Sequence, residues 1–420
     1  MSNINKYLIN GKRKLYGKIE NDCAKNALLP IMAASIMCDE PVILNNITYY
    51  DDILNMIDIL KHLGIKVKRD EKSLILDSSS IKNFDVPLDQ ACKLRASIFF
   101  LGPLVSKLKK ARVAYPGGCC IGARPIDIHI NGLQRLGVKV LDRHGIITLN
   151  GENMKSNTIF LPFPSVGATE NLIMASVFLN GVTTLYGVAK EPEIIDLCNF
   201  LNKMGACILG AGTDVIHIYG VKKLGGGAYS PIPDRIATGT YIFSALICGG
   251  ELEINNVVSE HVEPILDLVK NNGCKIDIKS DKILIEGLAK PFGFGKVETM
   301  PYPFFPTDLS QPLSALATIC KGNTIIVENL FENRFKHIPE LIKMGAHVTI
   351  KDRTAFIEGV EQLYGASVVA SDLRGGAALV LAGLCAEGYT TISNVELIDR
   401  GYYKLEEKLS TVGADIRRLT

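Results

Sequence analysis

The chain has no tryptophan, only 7% aromatic residues and no apolar run long enough to cross a bilayer. Its longest such stretches, AALVLAGLCA from Ala377 among them, fall short of the roughly 20 residues a membrane helix needs. The start, MSNINKYLINGKRKLYGK, lacks the continuous apolar core of a secretion signal. Neither charge is in excess. Lys+Arg 46 against Asp+Glu 44 leaves +2, so no bulk field draws the protein to nucleic acid or to an anionic membrane. Eleven cysteines are scattered without the paired spacing of a zinc site or a disulfide framework, which reads as reduced thiols in a cytoplasmic protein, mostly small core residues. Neither GxxxxGK[ST] nor a strand followed by GxGxxG occurs, so the nucleotide folds built on those loops are unsupported.

What is present is a packed globular composition, 47% hydrophobic and 21% charged over 420 residues, long enough for two or more domains. Under low identity lies a repeat. LKHLGIKVK, LQRLGVKVL, LNKMGACIL, VKNNGCKID, LIKMGAHVT and LSTVGADIR place Gly64, Gly137, Gly205, Gly273, Gly345 and Gly413 about 70 residues apart. Each glycine follows a segment with helical spacing, as in Ile53, Ile57, Leu60 and Leu63, and suits a left-handed helix cap. An alternating strand follows, then in five copies a second one, such as KILIEG or TAFIEG. The sixth copy ends without its second strand, and KYLINGKRKLYGKI at the start has the character to supply it. The amino-terminal strands are therefore expected to pair with the carboxyl-terminal domain.

A second, more apolar helix also recurs, and its first turns carry Lys25, Arg95, Ser165, Arg235, Asp308 and Arg374, again about 70 residues apart. Helices apolar on most faces are buried, and their amino ends offer free N–H groups and a positive dipole to phosphates and carboxylates. Ordinary capping explains any one of these residues. Six in register, four of them cationic, point to a shared anionic site. The stretch GGGAYSPIPD from Gly225 reads as the hinge after the third copy. The expected architecture is α/β, two pseudo-threefold domains facing each other across a cleft: 21–230, and 1–20 plus 231–420.

The loop PGGCCIGARPIDIHI, from Pro116, carries the chemistry. Gly117 and Gly118 allow backbone conformations closed to other residues, so a lid over about 113–124 can move. A thiol beside Arg124 and a helix amino end is reactive, whereas a cysteine is otherwise among the most buried residue types. Vicinal Cys119 and Cys120 are awkward to join as a disulfide. His129, in the first turn that follows, is read as a hydrogen-bonding residue.

This loop, with AKNA at Ala24, LRAS at Leu94, PSVGATEN at Pro164, KEPEIIDL at Lys190, FPTDLSQPL at Phe305, FENRFKHIPEL at Phe331, DLRGGAALVLAG at Asp372 and IDRGY at Ile398, resembles the UDP-N-acetylglucosamine 1-carboxyvinyltransferases nearly end to end. The resemblance implies an inside-out α/β barrel of repeated units in each domain. It implies transfer of the enolpyruvyl group of phosphoenolpyruvate to the 3′-hydroxyl of UDP-N-acetylglucosamine, opening peptidoglycan synthesis, through a tetrahedral intermediate. No metal or organic cofactor is implied. By the same resemblance Cys119 is the acid, carries a covalent phosphoenolpyruvate adduct and is the target of fosfomycin, while Cys120 is a bystander. Asp308 is the base, although an aspartate opening a helix also serves as an N-cap. Lys25, which is also catalytic, Asn26, Arg124, Arg334, Arg374 and Arg400 hold phosphoenolpyruvate, whose anionic groups suit Arg and Lys. Arg95, Arg124, Pro125, Ile126, Asp127, Ile128, Ser165, Val166, Gly167, Asp308 and Leu330 hold the nucleotide sugar.

Two positions depart from the family pattern. Ala237 stands where a glutamate is common, and Phe163-Pro164 stand where some members have Lys-Val, so side-chain contacts to the diphosphate are not expected from those two positions. The partners expected are small molecules, with no nucleic acid and no membrane, and the chain is a monomer or weak homo-oligomer. The related 5-enolpyruvylshikimate-3-phosphate synthases work without the cysteine lid, and a silent UDP-sugar sensor would lack Cys119 or Asp308, which are both here.

Overall fold

The computed structural model describes residues 5–92, 94–115, 117, 126–287 and 290–419. They form two compact units, one of residues 23–232 and one of 5–22 with 233–419. Each unit wraps three four-stranded sheets around apolar helices, so the helices lie inside and the sheets outside. The first unit holds α1 (Lys25–Ala34), α2 (Leu101–Leu108) and α3 (Val166–Ser176). The second holds α4 (Arg235–Cys248), α5 (Ser310–Ala317) and α6 (Leu373–Cys385), which all touch one another. Every residue of α4 from Ile236 to Ile247 is buried, as expected for a helix apolar on most faces.

The outer helices differ. Asp51–His62 buries Ile53, Met56, Ile57 and Leu60 on one stripe at the three- and four-residue spacing that joins successive turns. Such helices end at the repeated glycines. Gly64, Gly137, Gly205, Gly273, Gly345 and Gly413 all have φ between 80° and 110°, a region cheap only for glycine. The first five caps turn the chain into a hairpin, as in Cys207–Leu209 against Val215–Tyr219.

Every sheet takes its parallel edge strand from elsewhere in the ring. Thr158–Phe160 pairs with Val182–Tyr186, and Gly227–Tyr229 returns to Val42–Asn45, closing the first unit on itself. The glycine-rich segment expected to be a hinge is thus partly a strand. Backbone hydrogen bonding to Val42–Asn45 fixes what its composition suggests is loose. In the second unit Leu15–Glu20 pairs with Gly250–Asn255 in parallel. The strand missing from the sixth copy is Lys6–Asn10, antiparallel to both Tyr389–Ser393 and Asp415–Leu419.

A buried polar network fastens that strand. The hydroxyl of Tyr7, a fully buried residue, donates to Glu406 Oε2 at 2.7 Å. Arg418 donates to Tyr7 Oη at 2.8 Å, Glu406 Oε1 at 2.7 Å and Asp399 Oδ1 at 2.7 Å. Burial, then the charges of Glu406 and Asp399, push the Tyr7 phenol far above its usual range. It therefore stays a donor.

Among the described residues all cysteines are free thiols, with Cys23, Cys38, Cys198, Cys274 and Cys320 buried and Cys92 and Cys207 exposed. No described helix is long and apolar enough to cross a membrane.

Candidate functional site

The six residues singled out by register all lie at amino ends of core helices. Lys25 and Arg235 are first residues of α1 and α4, Ser165 caps α3, and Arg374 is second in α6. Arg95 and Asp308 instead sit in 3₁₀ turns, Arg95–Phe100 and Thr307–Leu309, that run into α2 and α5. A tighter first turn of this kind is common at helix ends.

In the first unit Lys25 is buried and its Nζ lies 3.0 Å from Asp52 Oδ2. Asp52 comes from the first turn of the outer helix Asp51–His62, where it reads in sequence as a plain helix-start acid. Asn26, beside the lysine, is exposed. The expected nucleotide residues gather at two helix starts. Asp127 and Ile128 open Asp127–Arg135, Ile126 precedes them, and Ser165, Val166 and Gly167 open α3.

His129 joins the two. It is buried, 3.0 Å from Asn171 Nδ2 through Nδ1, and a Cβ on Gly167 would lie 3.2 Å from its ring. Burial, then the charge of Arg95, pushes its pKa down to about 4. His129 is thus a neutral hydrogen-bonding group that packs the two helix ends together, with Arg95 close enough to act on it electrostatically. Ser165 accepts from Ala168 N at 3.4 Å, a long cap bond. Phe163, one of the departures, is exposed at 45%.

Sequence reading passed over Glu170. It is fully buried in α3, and neither carboxylate oxygen has a partner among the described residues. Burial, reinforced by Glu193 and Glu191, pushes its carboxyl well above the usual range. Its motif, GATENL, gives no sign of this, because an isolated acid among small residues reads as a surface position.

In the second unit Asp308 is gripped by two buried arginines. Arg334 reaches Asp308 Oδ1, and its Nε and Nη2 also donate to Thr307 O at 3.2 and 3.1 Å. Arg374 Nη2 lies 3.2 Å from Asp308 Oδ2, and its guanidinium stacks 5.0 Å from the centre of the Tyr402 ring. The Asp308 side chain keeps 27% of its surface exposed against 2% and 3% for the arginines. The cations are thus fixed and the carboxylate is presented. Arg374 Nε and Nη1 are buried with no hydrogen-bond partner among the described residues, so part of this guanidinium is unsatisfied.

A supporting layer lies behind. Asp372 caps α6, accepting from Arg374 N and Gly375 N at 3.0 Å each, and receives Gln311 Nε2 at 3.1 Å. His337, fully buried, pairs with Ser314 Oγ at 2.7 Å through Nε2. Burial pushes its pKa down to about 4, with Asp372 opposing and Arg334 assisting. Leu330 N donates to Glu328 Oε1 at 2.9 Å, and Thr307 donates to Glu328 Oε2 at 2.8 Å. That shared carboxylate ties Leu330 to the turn carrying Asp308. Arg400 follows the short helix Glu396–Asp399, two residues before the Tyr402 that covers Arg374. Ala237 is buried in α4, its N–H accepted by the Asp234 cap at 2.9 Å.

The structure thus brings Asp308, Leu330, Arg334 and Arg374 together, and separately Arg95, Ile126, Asp127, Ile128, Ser165, Val166 and Gly167. Cys119, Cys120, Arg124 and Pro125 lie outside the described residues. Among the described residues no cluster of three or more His, Cys, Asp or Glu is placed to hold a metal.

Six four-stranded sheets around buried core helices, with one helix end presenting a carboxylate between two buried arginines, define an enolpyruvyl transferase fold. The enolpyruvyl transferase NikO from Streptomyces tendae superposes with a TM-score of 0.90 at 26% identity, covering 100% of this chain and 99% of that one. The EPSP synthase of Acinetobacter baumannii shares the fold at a TM-score of 0.76 and 16% identity. The family model for EPSP synthase (3-phosphoshikimate 1-carboxyvinyltransferase) matches residues 9–409. UDP-N-acetylglucosamine 1-carboxyvinyltransferase 2 of Caldanaerobacter subterraneus is 45% identical over 414 residues, 99% of either chain. The Clostridium botulinum UDP-N-acetylglucosamine 1-carboxyvinyltransferase is 45% identical over 418 residues, 99% of this chain and 100% of its own length. The chain belongs to the EPSP synthase family and, within it, to the UDP-N-acetylglucosamine 1-carboxyvinyltransferases.

Proposed function

We propose that this protein transfers the enolpyruvyl group of phosphoenolpyruvate to the 3′-hydroxyl of UDP-N-acetylglucosamine and releases phosphate, the first committed step of peptidoglycan synthesis. The observation that carries the reading is end-to-end identity of 45% to relatives of that name, on a frame where Asp308 sits between two buried arginines. The sugar hydroxyl adds across the C2=C3 bond, its oxygen to C2 and a proton to C3. Loss of phosphate from C2 and a proton from C3 then restores the double bond.

Asp308 is the base that receives the hydroxyl proton, and its partly exposed carboxylate, held on both oxygens, suits that role. Arg334 and Arg374, with Lys25, Asn26, Arg124 and Arg400, bind the carboxylate and phosphate of phosphoenolpyruvate. Arg374, held between the Tyr402 ring and Asp308, supplies a fixed positive charge there. Cys119 is the acid toward C3 and the residue that fosfomycin alkylates, a role carried by the family motif around it. Arg95, the helix start at Ile126–Ile128 and the Ser165–Gly167 turn bind the nucleotide, where free N–H groups favour a diphosphate. The setting is the cytoplasm, where free thiols remain reduced.

The test is phosphate release from phosphoenolpyruvate with each of two acceptors. Release with UDP-N-acetylglucosamine and not with shikimate-3-phosphate, abolished in Cys119→Ala, is expected. The reverse acceptor preference refutes the substrate, and full activity in Cys119→Ala refutes the acid.

A further inference from the structure

The six sheets are near-copies, so their outward faces can be compared as internal controls. In five of them the outward positions carry at least three Lys, Arg, Asp or Glu side chains, as with Lys66, Lys68 and Asp77 in the first and Lys6, Asp415 and Arg417 in the sixth. The third sheet, Thr158–Phe160, Val182–Tyr186, Val215–Tyr219 and Cys207–Leu209, carries none on its outward face. Its inward residues are buried and its outward ones alternate with them strictly, so the register is not in doubt. Phe160 is 65% exposed, Leu209 55% and Tyr219 41%. Phe160 and Tyr186 stack face to face with centroids 4.7 Å apart, so the exposed apolar residues form a joined cluster rather than scattered side chains.

We infer that this face is a self-association surface, on which a second copy of the chain packs sheet to sheet about a two-fold axis. In such an interface each patch meets itself, so any charge near the axis faces its own like across a sheet spacing of about 10 Å. This is the one face of the six with no such penalty. It also offers no charge by which a differently charged partner would be selected. Thr184 Oγ1 and His217 Nδ1, 3.1 Å apart, satisfy each other within the face, which leaves the apolar groups as the contact.

Area sets the strength. Four strands at about 4.8 Å spacing and about five residues at 3.3 Å rise give a projected face of roughly 300 Å². A stable complex buries about 800 Å² per partner. The dimer is therefore weak, with Kd of about 10 µM to 1 mM, and it forms at high local concentration rather than as an obligate unit.

Sedimentation velocity of the full chain from about 5 µM to 1 mM reads this directly. The wild type is expected to move from monomer to dimer across that range. Phe160→Glu, which places a carboxylate opposite its own copy, is expected to weaken association at least about 10-fold. Tyr389→Glu, on the charged face of the sixth sheet and 63% exposed, is expected to change nothing. A wild type that stays monomeric to 1 mM, whatever else it binds, overturns the inference, as does a dimer that survives both Phe160→Glu and Tyr219→Lys. Circular dichroism and phosphate release unchanged in Phe160→Glu show that the variant is folded and that the loss is of contact alone.

Discussion

Replacing Glu170 by glutamine is expected to stabilise the protein, and increasingly so as pH rises. The folded carboxyl is fully buried without a partner among the described residues and stays protonated well above the ordinary glutamate value of 4.5. The unfolded chain ionises it at that ordinary value. Above it the native state therefore holds one more proton than the unfolded state, and stability falls as pH rises, by about 1.4 kcal/mol per pH unit. Between pH 5.5 and 7.5 the protein therefore loses stability for as long as the folded carboxyl keeps the proton that the unfolded chain has released. Glutamine has nearly the same shape and no proton to lose. All other titrations are common to both proteins and cancel in the difference. Urea unfolding followed by far-UV circular dichroism at the two pH values measures it. The gap in favour of Glu170→Gln should be wider at pH 7.5 than at pH 5.5. A gap that stays constant, or a variant destabilised equally at both, refutes the burial of a neutral acid at this position.

Acid should act through the two buried histidines. Both have folded pKa values of about 4, below the ordinary 6.5, so the unfolded chain takes up protons first and stability is lost as pH falls from about 6.5 toward 4. His337→Gln is expected to flatten that limb in thermal melts, and an unchanged limb refutes it. Gly205 has φ +110° with no heavy atom within 4 Å of an added Cβ, so Gly205→Ala isolates backbone strain and should cost about 1 kcal/mol. Gly225→Ala, with an added Cβ at 3.7 Å from its nearest neighbour and no positive φ, is the neutral control, and equal melting temperatures for the two variants contradict the cap. Asp52→Asn leaves the Lys25 ammonium buried without its counter-charge, a loss of about 3 kcal/mol. The pair Lys25→Met with Asp52→Leu should recover that stability without recovering phosphate release, and recovered activity would remove Lys25 from the reaction.

The repeat was legible because its marker is a backbone requirement. A positive φ after an amphipathic helix admits little but glycine, so six caps stand out where the surrounding side chains have drifted. The place of Lys6–Asn10 was legible for a similar reason, since a motif with one strand too few leaves a definite gap. The stretch from Gly225 reads less plainly, because glycine and proline mark a connection between units and also a short edge strand, and pairing with Val42–Asn45 shows that Gly227–Tyr229 is the latter. Site residues were less accessible. Arg334 and Arg374 meet Asp308 from different copies of the motif, and no local spacing encodes that meeting; family resemblance supplied those names. Asp52 and Glu170 escaped altogether, because a carboxylate's partner and burial are properties of packing between elements. The uncharged face of the third sheet is written in TIF, VTTLY, VIHIY and CIL, but its meaning needs the other five faces for comparison.

The strand Lys6–Asn10 leaves the ribosome long before Tyr389–Ser393 and Asp415–Leu419, its neighbours on either side. At about 5 to 20 residues per second, the wait is tens of seconds. During that interval residues 23–232 are complete and can close their ring, while the first 22 residues hold an unpaired, half-apolar strand. Through most of translation the nascent chain thus carries this strand without either of its neighbours, so the sixth sheet is the last part of the second unit that can form.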